Sequence, residues 1–159
     1  MLKYLGMLAI FIASVMPAFE YAKRHRRKIA EYELFIRLAD GLYEQISTYM
    51  RPISDFLSEF DFSPISDLGL KFSSRCDFGA EFSRVLHRLS VSDTARSALA
   101  EFFSALGGSA KEDELRRLLA LRQTLAGELE CDKRSSEKSL GVHRAVCCAV
   151  GLILVIVLM

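Results

Sequence analysis

The stretch that decides the fold is the last third of the chain. It opens Ser109-Ala110-Lys111-Glu112 and closes Ala145-Val146-Cys147-Cys148-Ala149-Val150-Gly151-Leu152-Ile153-Leu154-Val155-Ile156-Val157-Leu158-Met159. The opening fits a capping box, in which Ser109 accepts from the third backbone N–H and Glu112 reaches back to the cap. Gly107 and Gly108 precede it as the chain reversal. No proline follows, and only Gly127, Gly141 and Gly151 weaken the run. Leu115, Leu118, Leu119, Leu125 and Leu129 recur at helical spacing through the first half, while the closing stretch carries no charge. A helix of this length spans roughly 75 Å, more than a small domain. It reads as a stalk that leaves a helical body and enters a membrane.

The start of the chain mirrors this. Tyr4 to Phe19 is an apolar run, and Lys23-Arg24-His25-Arg26-Arg27-Lys28 follows directly. An apolar segment behind a short basic start resembles a secretory signal, but five Lys/Arg immediately after it resist export. The segment therefore reads as an uncleaved membrane helix. Both apolar runs are about 16 residues, short of the ~20 that a bilayer core needs. Leu2 extends the first; Leu140 to Val142 extend the second, with Arg144 reaching for the headgroups. Lys23, Arg24, Arg26, Arg27 and Lys28 flank one run, and Lys133, Arg134, Lys138 and Arg144 flank the other. The bias of Lys and Arg puts the segment between them in the cytoplasm and both termini across the membrane. Contact of the basic block with anionic lipid is compatible with that orientation.

Between the runs the pattern is helical. Ile29, Tyr32, Ile36, Ala39, Tyr43, Ile46 and Met50 alternate spacings of three and four, widened by Phe35, Leu38 and Leu42. Pro52 is expected to end this helix. Shorter apolar stripes follow at Ile53/Phe56/Leu57/Phe60, at Ile65/Leu68/Phe72 behind Pro64, and at Phe78/Phe82/Val85/Leu86/Leu89. Ser90-Val91-Ser92-Asp93 then caps a helix bearing Ala95, Leu99, Phe102, Phe103 and Leu106. The expected fold is all-α: a small bundle of about six helices, its first and last helices extended as transmembrane segments. The expected divisions are 1–22 for the first span, 23–139 for a cytoplasmic bundle, and 140–159 for the second span.

The chain is 159 residues with a formal net charge of +1, so it is no electrostatic binder of nucleic acid as a whole. Cys76, Cys131, Cys147 and Cys148 form neither a disulfide framework nor paired Cys-x-x-Cys arms, and read as buried or lipid-facing thiols in a reducing compartment. There is no phosphate loop and no dinucleotide-binding glycine motif. His25, His87 and His143 stand apart with no metal-ligand spacing; His87, between Arg84 and Arg88, reads as solvated. Glu112, Asp113 and Glu114 suit the positive end of a helix. No serine sits in a nucleophile elbow. These observations point away from an enzyme, a cofactor, a metal centre and a small-molecule substrate.

The order of short motifs along the whole chain resembles the stage III sporulation protein AB family of endospore-forming bacteria. The matching pieces are Met1-Leu2-Lys3-Tyr4-Leu5-Gly6 before the basic block, and Ile46-Ser47-Thr48-Tyr49-Met50-Arg51-Pro52-Ile53-Ser54-Asp55-Phe56-Leu57 at the turn. Leu106-Gly107-Gly108-Ser109 opens the last helix, and Ser139-Leu140-Gly141-Val142 leads into the tail. The sequence departs from the family pattern in having Ala110 where Asp is usual, Glu114 where glutamine is usual, and the Cys147-Cys148 pair.

The resemblance implies a helical domain similar to the cytoplasmic domains of platform proteins in type II secretion and type IV pilus machines. It further implies a place in the complex between mother cell and forespore, in the outer forespore membrane. The implied partners are the other stage III sporulation A proteins, the AA ATPase among them, and the lipid bilayer. Two surfaces are candidates for such contacts: Arg84, His87 and Arg88, and the turn carrying Ser109, Lys111, Glu112 and Glu114. The competing expectation is a regulatory membrane protein that dimerises through the Ile29–Met50 heptads.

Overall fold

The computed structural model describes residues 2–49, 52–69, 78–108 and 110–158; within these the side chains of 2–15, 17–18, 49, 78, 137–140, 143–144, 147–148, 151–152 and 154–158 are left aside. Every regular element among the described residues is helical. Helix α1 is Leu2–Glu44, followed by a π-helical turn Gln45–Tyr49; α2 is Ile53–Glu59; a 3-10 helix is Ser63–Leu68; α3 is Phe78–Leu86; α4 is Asp93–Ala105; α5 is Lys111–Leu158. Two compact units divide the chain. One holds residues 1–26 and 131–159, the other residues 27–130. The second unit is thus narrower than the 23–139 body expected from the sequence.

The core of the 27–130 unit is built on α1. Tyr32, Leu34, Phe35, Leu38, Ala39 and Leu42 are buried, and Ile65, Phe82, Leu99, Phe103, Leu118, Leu121 and Leu125 from later elements join them. Aromatic rings link three helices: Phe35 meets Phe82 edge-on at 5.7 Å, and Phe82 stacks on Phe103 at 4.0 Å. Such pairs add about 0.5–1.5 kcal/mol beyond the area they bury. Of the expected stripe on α1, Tyr32, Phe35, Leu38, Ala39 and Leu42 are buried, and the departures lie at its margins. Ile29 and Ile36 are half-buried and Tyr43 is 38% exposed, while Glu31, which the apolar pattern skips, is completely buried. A two-helix seam is narrow, but elements from much of the chain cover this helix, so its apolar face is wide.

Glu31 is buried because its carboxylate is used. Arg27 Nε donates to Oε1 at 3.0 Å, and the Ser90 backbone N–H donates to Oε2 at 2.6 Å. One residue on, the Tyr32 hydroxyl accepts from the Ser92 N–H at 2.9 Å. The connection into α4 would otherwise leave these amides orphaned against the core. Its carbonyls are held from the other side, since Arg96 Nη2 donates to the oxygens of Leu89 (3.1 Å) and Val91 (3.4 Å). Ser92 is the N-cap, its hydroxyl accepting from Ala95 N–H, within the stretch expected from the sequence. Arg27 also pairs with Asp67 at 2.9 Å. Its pKa is raised above the ordinary arginine value chiefly by the hydrogen bond to Glu31, against burial and with help from the charge of Asp67. A raised pKa gives stability that is full below the unfolded value and lost only as pH climbs through the folded one. Arginine's share of this pair is therefore constant across the neutral range.

Several local details differ from expectation. The α-helical ladder of α1 stops at Glu44 and a π turn follows, before Pro52 is reached. Here Ser47 Oγ donates to the Glu44 carbonyl and Lys111 Nζ donates to the Ser47 carbonyl, so both oxygens are satisfied outside the regular ladder. Pro52 instead sits at the start of α2. The Pro64 segment is 3-10 rather than α, closed by Gly69 at φ +72°. The Phe72 end of its expected stripe and Cys76 lie outside the described residues. On α5, Leu119 is 52% exposed and Leu121 takes the core position. Cys131 is exposed, not buried.

Two glycines give opposite expectations. A Cβ at Gly41 would lie 2.5 Å from Phe56 Cζ, whereas one at Gly127 would meet nothing within 4 Å. Gly127→Ala should stabilise by about 1 kcal/mol through helix propensity. Gly41→Ala should lose about 1 kcal/mol net, because overpacking of roughly 1–3 kcal/mol outweighs the same propensity gain. Chemical denaturation followed by circular dichroism separates the two signs. Glu31→Ala should cost about 2–3 kcal/mol in the same measurement, since it strands the Ser90 amide beside a partly buried Arg27.

Candidate functional site

The residues expected at a partner surface separate into two kinds. Arg84 lies on α3 with its side chain 77% exposed, paired at 3.1 Å to Glu81 one turn earlier. His87 and Arg88 follow on the exposed turn that closes the helix. The inward row Phe82, Val85 and Leu89 forces this arrangement, because on a helix the positions between such a row face solvent. A surface ion pair like Arg84–Glu81 contributes little to stability. The cluster is therefore cationic, outward-facing and spared from structural duty.

The second group is different. Ser109 lies outside the described residues, and with it the Ser109 side of the expected capping box. Helix α5 starts at Lys111, and the Ala110 carbonyl accepts from the amides of Asp113 and Glu114, both at 3.0 Å. Glu112 is exposed, but the residue that reaches back is Glu114, which is 4% exposed and accepts from the Gly107 N–H at 2.8 Å. Gly107 adopts φ +83°, a conformation that suits glycine and brings its amide to the carboxylate. Lys111 is held on the Ser47 carbonyl at 3.1 Å. Lys111 and Glu114 thus fix the corner between α4 and α5 rather than offer contacts, and only Glu112 of the described trio is fully exposed. An acidic residue four places into the helix was a clue to this role, though its burial was not readable from the spacing.

Helices α4 and α5 also border a groove of about 290 Å³, with Phe102 and Leu121 on its floor and Glu101, Ser104, Arg117 and Thr124 among its lining. The heptad positions expected to carry a dimer are partly spent inside the chain itself: Tyr32 and Ala39 are buried in its own core. Among the described residues no group of three or more His, Cys, Asp or Glu is placed to hold a metal ion.

The unit of residues 1–26 and 131–159 has its own character. It carries eight Lys/Arg against three Asp/Glu, a formal charge of +5, which leaves −4 for residues 27–130. Its described apolar side chains face outward. Met16 and Phe19 are 63% and 72% exposed, and Val142, Val146, Val150 and Ile153 are each 46–62% exposed along one row of α5. Among the described residues, no helix is long and apolar enough to cross a membrane. Most side chains of the two apolar runs expected as spans fall outside the described set. Of the flanking cations, Lys23, Arg24, Arg26, Lys133 and Arg134 are exposed, and the side chains of Lys138 and Arg144 are not described. Arg27 is drawn to Glu31 and Asp67, and Lys28 Nζ sits 5.9 Å from the Tyr32 ring centre.

No curated protein and no solved structure matches the chain. The family model described as stage III sporulation protein AB (spore_III_AB) matches residues 3–159. With nearly its whole length inside that match and an all-helical architecture throughout the described residues, the chain belongs to the stage III sporulation protein AB family.

Proposed function

We propose that this chain is a non-enzymatic platform subunit of a stage III sporulation complex. Its two apolar ends are anchored in the cell membrane (the outer forespore membrane) and its 27–130 unit lies in the mother-cell cytoplasm. The observation that carries the reading is the outward row Val142, Val146, Val150 and Ile153, together with exposed Met16 and Phe19. Contiguous apolar surface of this kind needs a partner phase or a partner protein. Lipid fits best, because Tyr4 to Phe19 and Ala145 to Met159 carry no charge and the Lys/Arg excess, Arg144 included, lies just beside these runs. A full ~20-residue apolar run is not required, since a shorter one is accommodated by local thinning of the bilayer at modest cost.

The partner of the cytoplasmic unit is another stage III sporulation A protein, with the AA ATPase as the counterpart of the motor that meets platform proteins in secretion machines. Arg84, His87 and Arg88 are the surface for it. They present positive charge on a unit whose total is negative, so an acidic patch on the partner is favoured there and disfavoured elsewhere. Lys111 and Glu114 are not part of this surface because the fold uses them.

Two measurements test the reading. A compartment-sensitive reporter fused after Met159 should report the far side of the membrane; a cytoplasmic signal overturns the orientation. Arg84→Glu combined with Arg88→Glu should lower co-purification of the AA ATPase by roughly tenfold, with the melting of the variant unchanged, as expected for loss of one or two charge contacts. Undiminished co-purification removes α3 as the docking surface.

A further inference from the structure

The six-residue block Lys23-Arg24-His25-Arg26-Arg27-Lys28 looks uniform in sequence, but the structure divides it. Lys23, Arg24 and Arg26 are exposed and belong to the 1–26/131–159 unit. Arg27 is turned to Glu31 and Asp67, and Lys28 lies over Tyr32, both within the 27–130 unit. The same end unit contributes Lys133 and Arg134 from α5, both exposed. Five outward cations therefore occur in one compact unit whose formal charge is +5, beside apolar side chains that also face outward.

We propose that Lys23, Arg24 and Arg26 on α1, with Lys133 and Arg134 on α5, form a collar that selects anionic phospholipid headgroups, and that Arg27 and Lys28 take no part in it. The inference rests on the membrane reading above and adds a lipid preference to it. The chemistry recognised is a phosphodiester oxyanion. Guanidinium groups bind it through paired N–H donors, and ammonium groups contribute as point charges. The source is the bilayer rather than free phosphate, because the cations adjoin exposed apolar surface that free phosphate would leave uncovered. Basic residues near an anionic leaflet contribute additively and are screened by salt.

The test reconstitutes the full chain into vesicles of phosphatidylcholine alone and of phosphatidylcholine with phosphatidylglycerol. Two things are read: resistance to alkaline extraction, and the ratio of spin-labelled phosphatidylglycerol to spin-labelled phosphatidylcholine at the protein surface. The expected result is insertion in both vesicles, with phosphatidylglycerol enriched roughly threefold to tenfold at low salt and less so at high salt. Lys23→Gln/Arg24→Gln/Arg26→Gln should abolish most of the enrichment while the chain stays inserted. Arg27→Gln/Lys28→Gln, which removes nearly as much charge from the same block, should leave the enrichment intact and lower the melting temperature instead.

Insertion without enrichment in the unmodified chain overturns the collar and leaves the membrane reading standing. Equal loss in the triple and double variants overturns the division of the block. Loss of enrichment when inorganic phosphate is added at constant ionic strength also overturns the proposal, in favour of a free-phosphate site. Full extraction from both vesicles overturns the membrane reading; the collar then survives only if the extracted chain still binds phosphatidylglycerol vesicles in a salt-sensitive way, and otherwise falls with it.

Discussion

The fold depends on a carboxylate that has no exposure at all. Glu31 sits in the middle of the buried face of α1 and takes an amide from the connection before α4 and a guanidinium from its own helix. A buried charge left without partners would be severely destabilising, so this position tolerates the side chain only in the register that supplies them. Tyr32 repeats the device one residue later on the Ser92 amide. Together they fix where α4 begins relative to α1. Phe82, between Phe35 and Phe103, then fills the space that this registration leaves between α1, α3 and α4.

The second corner works on the same principle with the roles of the helices exchanged. Glu114 on α5 accepts from the Gly107 amide, and Lys111 reaches the Ser47 carbonyl at the end of α1. Arg122 and Asp40 form a further, half-exposed link between α5 and α1 at 2.5 Å. For Glu114 and Lys111, as for Glu31, a charged side chain satisfies backbone that a turn would leave bare. The surface left over for partners is therefore smaller than a count of charges suggests, and Arg84 on α3, with His87 and Arg88 on the turn behind it, belongs to that remainder.

Much of the architecture was legible in the sequence. Apolar residues three and four apart located α3 and α4, Ser92 fell within the expected cap, and Pro64 opened a helical turn. What could not be read were contacts between residues far apart in the chain. Periodicity found Tyr32, Phe35, Leu38, Ala39 and Leu42 on the buried face of α1, but it set Ile29, Ile36 and Tyr43 beside them and passed over Glu31, because it ranks apolar side chains and has no means to bury a glutamate. It grouped Leu119 with Leu118 and passed over Leu121, which lies nearly opposite Leu119 and shares its face with Leu118 and Leu125; both choices leave an apolar stripe, and the neighbouring helices decide which one is covered. For the candidate surface, Arg84, His87 and Arg88 were legible as residues off an apolar stripe. Lys111 and Glu114 were not, because their partners are a backbone carbonyl 64 residues away and an amide freed by a left-handed glycine.

The links from Glu31 to Ser90 and from Tyr32 to Ser92 join positions 59 and 60 residues apart. On the ribosome the acceptors are made first, and their donors follow after about 3–12 s at ordinary elongation rates. During that interval α1 has no way to bury its acidic side chain, so the nascent helix stays hydrated on the face that later becomes the core. The connection at residues 90–92 supplies those donors, and Leu118, Leu121 and Leu125 of α5 are made later still, so the core around α1 can close only after residues far apart in the chain are all present.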